Sequence, residues 1–438
     1  MANHWVMEIH DRLNNNETSS EMQRWSKQSI YKVPACIKDL NRKAYQPQVV
    51  SFGPFHHGDP DVRPMEEHKL RALVHFLKRA KKQLDEFVAA MKEVVPQLQD
   101  AYQGLDEQWK KDKERFLQLM ILDGCFMLEI MRVAAGASSD YAFNDPIFSS
   151  HGMLYTVPYI KRDMMMIENQ LPLLALDRLV SVETSKPKHE DHINKLVLKF
   201  CVPPDGRSPT PIVGLGLHPL DLFRKSLLSE PAHRSAASSS TAVQSSSEII
   251  RSAIELYEAG IRFKKSKSNS LRDISFHHGV LSLPVIVVDD ATEYMFLNLM
   301  AFERLHFGAG NEVTSYVFFM DNIVDSAKDV SLLHSKGIIQ NAVGSDKAVA
   351  KLFNSLSKDV VLDPESSLDE VHRKVNNYCR KNINMWRANL IHTYFRSPWA
   401  TLSLAAAIFL LVLTVLQTVY TIMPYYVNSD ALAAPSPQ

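Results

Sequence analysis

Three histidine-bearing stretches carry the side chains best suited to metal or acid–base chemistry. His56-His57-Gly58 is followed by Glu66-Glu67-His68, and His277-His278-Gly279 comes later; His189-Glu190-Asp191-His192 lies between them. A metal site needs imidazole and carboxylate donors converging on one point, with an organised shell behind them. His56, His57, Glu66 and His68 are the candidates for such a site. Adjacent side chains point apart, however, and no H-x-x-H or H-E-x-x-H fixes the geometry. The 189–192 spacing does not suit a zinc protease. Turn and structural histidines account for these residues better. No metal and no cofactor is expected.

The chain has no G-x-S-x-G, no G-x-x-x-x-G-K-[ST] and no G-x-G-x-x-G. The polar groups set in apolar surroundings are Asp123 and Glu129, then Arg162, Asp163, Glu168 and Asn169 in RDMMMIENQ. Asp221 and Arg224 in HPLDLFR are of the same kind. On a helix Asp123 and Glu129 point to different faces, so they are not a ready acid/base pair. A lone buried charge is very costly, so each of these groups needs a partner. An internal network that fixes helix register is expected, and no enzymatic activity. An enzyme is the alternative; it requires His56, His57, His68 and Glu66 to meet within about 5 Å of one point.

The elements that must position these residues are mainly α-helical, with a small antiparallel β-meander: an α+β fold. Met65–Asp100 reads as a long amphipathic helix with Leu70, Leu73, Val74, Leu77, Leu84, Phe87, Val88 and Met91 on its stripe, ended or kinked by Pro96. Asp112–Ala135 is apolar on nearly all sides and belongs deep in the core. A third block runs from Pro158 to Val182 with a break at Pro172. Further helices are expected at His218–Leu228, Glu248–Glu258, Ala291–His306, Glu312–Lys328, Asp346–Lys358 and Leu368–Phe395. GIRFKK, LRDISFHH and VLSLPVIVVDD read as strands, with His278-Gly279 turning between the last two. Residues 1–29 read as disordered, 30–396 as the soluble domain, and the Ser-rich stretch 229–247 as a flexible insertion within it.

The chain has 438 residues with 49 Lys plus Arg against 49 Asp plus Glu, so no overall field draws it to nucleic acid. Four scattered cysteines, Cys36, Cys125, Cys201 and Cys379, suit a reducing compartment better than a disulfide framework. No N-terminal apolar segment reads as a signal peptide. The clearest physical feature is Ala400–Ile422, ATLSLAAAIFLLVLTVLQTVYTI, which carries no charge. As a helix it is about 35 Å long, enough to cross a bilayer. Trp399 borders one end and Tyr420 the other, as membrane-interface aromatics do. Gln417 is its one strongly polar side chain and could join two such helices, which keeps a structural, dimerising adaptor open as a further alternative. Residues 397–424 form the expected anchor and 425–438 a short tail. Arg380, Lys381, Arg387 and Arg396 precede the span, and no Lys or Arg follows it. The large N-terminal part is therefore expected in the cytosol.

Many segments, in order, resemble the plant family called domain of unknown function 247. They include GPFHHG at 53–58, MEEHK at 65–69, LDGCFMLE at 122–129, RDMMMIENQLPLLAL at 162–176 and HPLDLFR at 218–224. AGIRFKK at 259–265, LSLPVIVVDD at 281–290, NLMAFE at 298–303, MDNIVDSAKDVSLLHSKGII at 320–339 and the span itself continue the match. Phe55 stands where the family often has Tyr, and Pro219 where Leu is common. The resemblance covers about residues 30–424 and implies a plasma-membrane or endomembrane protein with no established catalysis. Certain grass members reside at self-incompatibility loci, which implies pollen-side recognition with a small secreted partner. Such a partner is reached most simply with the large domain outside. Homo- or hetero-oligomers are left open.

Overall fold

The computed structural model describes residues 5–7, 9–10, 17–39, 41–137, 140–185, 191–202, 212–229, 250–358, 368–390 and 398–431. Within the N-terminal stretch, α1 (Glu17–Lys27) is helical, and Lys27 pairs with Asp100 at 3.1 Å. Met65–Asp100 is divided into α2 (Met65–Ala80), α3 (Leu84–Lys92) and a short helix, Val95–Asp100. Lys81, in the left-handed region at φ 54°, ends α2, and a Gln83–Glu86 capping box restarts the chain as α3. Pro96 begins the third helix rather than ending the first, because a first-turn proline forfeits no helical hydrogen bond. The buried face of α2 is Met65, Lys69, Ala72, Leu73 and Phe76. Leu70 and Val74, expected on that face, are 56% and 43% exposed.

α4 (Lys113–Ala134) follows the expected course. Asp112 caps it by accepting the Arg115 N–H at 3.0 Å, and it is buried on nearly every side from Phe116 to Met131. Helices α2 and α3 pack on it, as does α6. The block broken at Pro172 is α5 (Val157–Met164) and α6 (Leu173–Thr184), joined by the irregular segment 165–172. α7 (Pro219–Leu227) starts at a first-turn proline behind the His218 cap. The expected Glu248–Glu258 helix begins only at Ala253. The Ser-rich insertion lies outside the described residues but for Ser229.

Strands β1 (Arg262–Lys265), β2 (Ser275–His277) and β3 (Val280–Leu283) form one sheet in the order β1-β3-β2. The β2–β3 hairpin is antiparallel, turning at His278 (φ 49°) and Gly279 (φ 76°), the two positive φ angles a tight hairpin demands. β1, however, joins β3 in parallel, so the sheet is mixed rather than a simple meander. The link 266–274 carries the chain past β3 to its far edge. β4 (Ile286–Val288) leaves this sheet and pairs in parallel with β5 (Ile339–Asn341).

Between β4 and β5 lie α8 (Thr292–Leu305), α9 (Glu312–Ile323) and α10 (Ala327–Ser335). The helix expected over Glu312–Lys328 ends at Ile323, and a Ser326–Asp329 capping box starts α10 as a separate helix. α11 (Asp346–Leu356), α12 (Asp369–Cys379) and α13 (Asn382–Leu390) follow. One contiguous apolar core runs through both halves, from Ile30 to Cys379. All four cysteines are free, with Cys36 exposed and the other three buried. The final helix, α14 (Pro398–Ala431), continues past Ile422 into the stretch expected as a tail.

Candidate functional site

The extended chain 47–53 has little secondary structure of its own, yet its backbone is largely buried. Its amides must therefore find partners elsewhere. Those partners are the polar residues that α2, α4 and the segment after α5 deliver.

Lys69 stands at the centre. It lies on the apolar face of α2 with no solvent exposure. Its Nζ is 2.6 Å from Asp123 Oδ1 and 2.6 Å from Glu66 Oε1, and it donates to the Ser51 carbonyl oxygen at 2.6 Å. The Asp123 contact is an ion pair rather than an aligned hydrogen bond. The other Asp123 oxygen accepts the Gly53 N–H at 2.7 Å. Burial pushes the Asp123 carboxyl up to about 6, against the pull of Lys69. At Gly53 (φ 71°) an added Cβ would lie 2.7 Å from the Tyr102 hydroxyl and 2.8 Å from the Gln170 carbonyl oxygen. Only glycine fits there.

RDMMMIENQ supplies the remaining holds. Asp163 Oδ2 accepts three successive amides, from Gln48 (3.0 Å), Val49 (2.7 Å) and Val50 (3.1 Å). Burial nevertheless raises its carboxyl. Asn169 accepts the Phe52 N–H at 2.7 Å and donates to the Val50 and Asp163 carbonyl oxygens, each at 3.0 Å. Glu168 accepts the Val33 N–H and the Lys38 ammonium at 2.7 Å. Gln170 donates to the Met164 and Met166 carbonyl oxygens and accepts the Leu220 N–H at 3.1 Å. Asn298 of α8 accepts the Ile167 N–H at 3.0 Å and donates to the Ala44 carbonyl oxygen at 2.8 Å. One irregular segment thus gathers the N-terminal chain, α4, α7 and α8 around itself. An open depression of about 430 Å³, lined by Lys43, Gln46, Pro47, Gln48 and Asp61, lies beside the amides held by Asp163.

The histidine candidates go to different partners. His56 faces Asp59 (3.0 Å) and Glu168 (3.4 Å). His57 sits edge-on to Trp109 with Nδ1 4.0 Å from Glu66, and burial lowers its pKa. His68 meets Arg71, which holds Asp145 at 2.6 Å. Among the described residues, no group of three or more His, Cys, Asp or Glu side chains is arranged to hold a metal. His277 lies in β2 and His278 in its turn; His189 and Glu190 lie outside the described residues.

Asp123 and Glu129 serve separate networks, as six-residue spacing on a helix dictates. Glu129 pairs with Arg79 and accepts the Tyr141 hydroxyl at 3.1 Å. Asp221 pairs with Lys225 at 2.7 Å. Arg224 bridges Glu303 (2.7 Å) and Glu312 (2.6 Å). Sequence reasoning passed over Lys69, although Met65, Ala72, Leu73 and Phe76 stand four, three, four and seven places from it on the same face. It also passed over His218, which donates to the Ser29 carbonyl oxygen at 3.0 Å and caps α7. Chemically, the arrangement fixes chain: its buried carboxylates and amides hold backbone groups and cations.

The span candidates are all exposed: Trp399 at 79%, Tyr420 at 73%, and Gln417 between them. Thr401–Met423 is the one helix among the described residues long and apolar enough to cross a membrane. A family model described as a plant protein of unknown function, DUF247, matches residues 30–413. In Arabidopsis thaliana, UPF0481 protein At3g47200 is 32% identical, over 93% of this chain and 89% of that protein. Putative UPF0481 protein At3g02645, also from Arabidopsis thaliana, is 24% identical over 94% of this chain and 93% of its own length. No solved structure matches the chain.

Proposed function

The chain belongs to the plant family DUF247, and from that premise we propose that it is a membrane-anchored, non-enzymatic interaction protein with its soluble domain in the cytosol. Thr401–Met423 carries this reading: 23 residues of mean hydropathy 2.4, none of them buried against the rest of the chain. Uncovered apolar surface costs about 25 cal/mol per Å² in water, and a bilayer removes that cost. Thr414, Thr418 and Thr421 donate to carbonyl oxygens four residues back, so their hydroxyls need no water. Arg380, Lys381 and Arg387 before the helix, with no Lys or Arg after it, support the cytosolic side. The non-enzymatic part is supported by the interior, where the buried carboxylates hold backbone amides and cations.

The finer reading, a pollen-side self-incompatibility determinant with a small secreted protein partner, has as its support the family resemblance, since certain grass members of the family reside at self-incompatibility loci. The two readings part on topology, since a secreted ligand calls for the domain outside, at the plasma membrane. Alkaline extraction of membranes followed by protease treatment of sealed vesicles tests both. Full-length chain in the pellet, with an N-terminal tag digested from the cytosolic side, is the expected result. Chain in the supernatant overturns the anchor. A protected tag overturns the orientation and favours the secreted ligand.

A further inference from the structure

Resting on the membrane-anchored reading, we propose that the soluble domain docks on anionic lipid of the leaflet it faces, through a basic and aromatic face around β1. Seven residues, 391–397, join the end of α13 to the start of α14. Seven residues reach at most about 25 Å, so α13 stays close to the point where the span enters the bilayer.

α13 is itself fixed to the domain. The Arg387 guanidinium lies against Gly260, 2.9 Å from where a Cβ would be, leaving Trp386 75% exposed. Gly260 leads into β1, whose Arg262 N–H donates to the Gly279 carbonyl oxygen at 2.8 Å. The Tyr378 hydroxyl packs on Gly279, and Lys381 Nζ lies 5.8 Å from the Tyr378 ring. At the other end of β1, Lys265 rests on Gly337. Next to it, Lys336 Nζ is 5.9 Å from the ring of Tyr257, itself 47% exposed. Lys264, between Arg262 and Lys265 along the strand, is exposed too.

Elsewhere on the surface Lys27, Lys32, Lys110, Lys225 and Lys374 each pair with a carboxylate. Arg262, Lys264, Lys265, Lys336 and Lys381 take part in no ion pair among the described residues. Unneutralised cations gathered around one strand repel one another, and a polyanionic surface relieves that repulsion. Anionic headgroups attract juxtamembrane lysines within a Debye length of about 8 Å, a layer that a tether of at most about 25 Å lets this face reach. Trp386 and Tyr257 suit the headgroup level, where amphipathic rings settle. The tether favours lipid over an acidic peptide, because it keeps α13 within about 25 Å of the bilayer and so the lipid at high local concentration whatever else is present.

The test is hydrogen exchange on the full chain in nanodiscs of phosphatidylcholine alone or with about 30 mol % phosphatidylserine. Peptides covering 257–265 and 378–387 are expected to exchange about tenfold more slowly in the anionic discs, with the gain lost at about 0.5 M salt. The triple variant K264E/K265E/K381E loses the same gain while exchange in α4 stays as in the parent. Should that variant misfold, the salt comparison on the parent chain decides. Equal exchange in both discs overturns the docking face. A chain that enters neither disc overturns the anchor instead.

Discussion

Lys69 and Asp123 meet at 2.6 Å with neither side chain exposed, so α2 and α4 are joined by a buried charge pair, to which Arg79 and Glu129 add a second link between the same two helices. Removing one member strands the other. Lys69→Met is expected to cost about 3–5 kcal/mol, read as a shift in denaturant midpoint. The double variant K69M/D123L is expected to recover only part of that loss, because removing the pair also leaves the Gly53 N–H and the Ser51 carbonyl oxygen without their side-chain partners.

Asp163 gathers the amides of Gln48, Val49 and Val50 on one oxygen. Asp163→Ala leaves three donors without an acceptor and is expected to cost about 3–4 kcal/mol. Hydrogen exchange at residues 48–50 is expected to speed up more than exchange in α4. Uniform acceleration over the whole chain would count against a local clamp.

Gly53→Ala combines an unfavourable φ with a Cβ placed 2.7 Å from the Tyr102 hydroxyl and 2.8 Å from a backbone oxygen that cannot swing away. A loss of about 2–4 kcal/mol is expected in thermal or chemical unfolding. Gly58, where a Cβ meets nothing within 4 Å but φ is 92°, is the control and should cost about 1 kcal/mol.

Acid should weaken the fold. Burial pushes His218 and His372 down to about 4. Unfolded histidine titrates near 6.5, so the unfolded chain binds more protons between pH 6.5 and 4. The stability these neutral rings contribute is therefore complete above about pH 6.5 and is lost as pH falls towards 4, by about 3 kcal/mol for fully enclosed His218. Asp123, raised to about 6, works in the opposite direction as it takes up its proton between pH 6 and 4. Asp163 and Asp321, also raised by burial, side with Asp123, while burial lowers His57, His68 and His306 as it does His218 and His372; five histidines outweigh three carboxylates, and a net fall is expected. His372→Leu should flatten the profile of unfolding free energy in this window by about one proton's worth.

Leu411 is near the middle of Thr401–Met423. Arginine at the centre of a span opposes insertion by about 2.5–3.5 kcal/mol, so Leu411→Arg is expected to move chain from the pellet to the supernatant after alkaline extraction. Gln417→Leu should leave the pellet fraction unchanged. Any loss of crosslinked dimer in that variant would assign Gln417 to helix pairing.

The helices were legible where periodicity was strong. α4 announced itself by apolar residues on all sides; Asp123 and Glu129, read as pointing to different faces, enter different networks, yet both reach α2, through Lys69 and Arg79. The break at Pro172 and the His278-Gly279 turn followed from backbone chemistry alone. What escaped was tertiary. Lys69 reads as one more surface lysine of an amphipathic helix until Asp123, distant in sequence, is placed beside it. β1 skips its sequence neighbour to pair with β3, a choice no local pattern encodes. Asp163, Glu168 and Asn169 were recognised as internal partners, but not that their partners are mostly backbone amides of the 33–53 segment. No side-chain pattern in that segment marks an amide as waiting for an acceptor.

Ile30 bridges Tyr102 through its backbone, His218 holds the Ser29 carbonyl, and the Val33 amide ends on Glu168. The cooperative unit therefore has an abrupt upstream edge. Trimming as far as Lys27 removes a surface helix and one solvent-facing ion pair. Trimming six residues more cuts the thread that closes the bundle, so a protein shortened by 33 residues should fail to fold where one shortened by 27 stays folded.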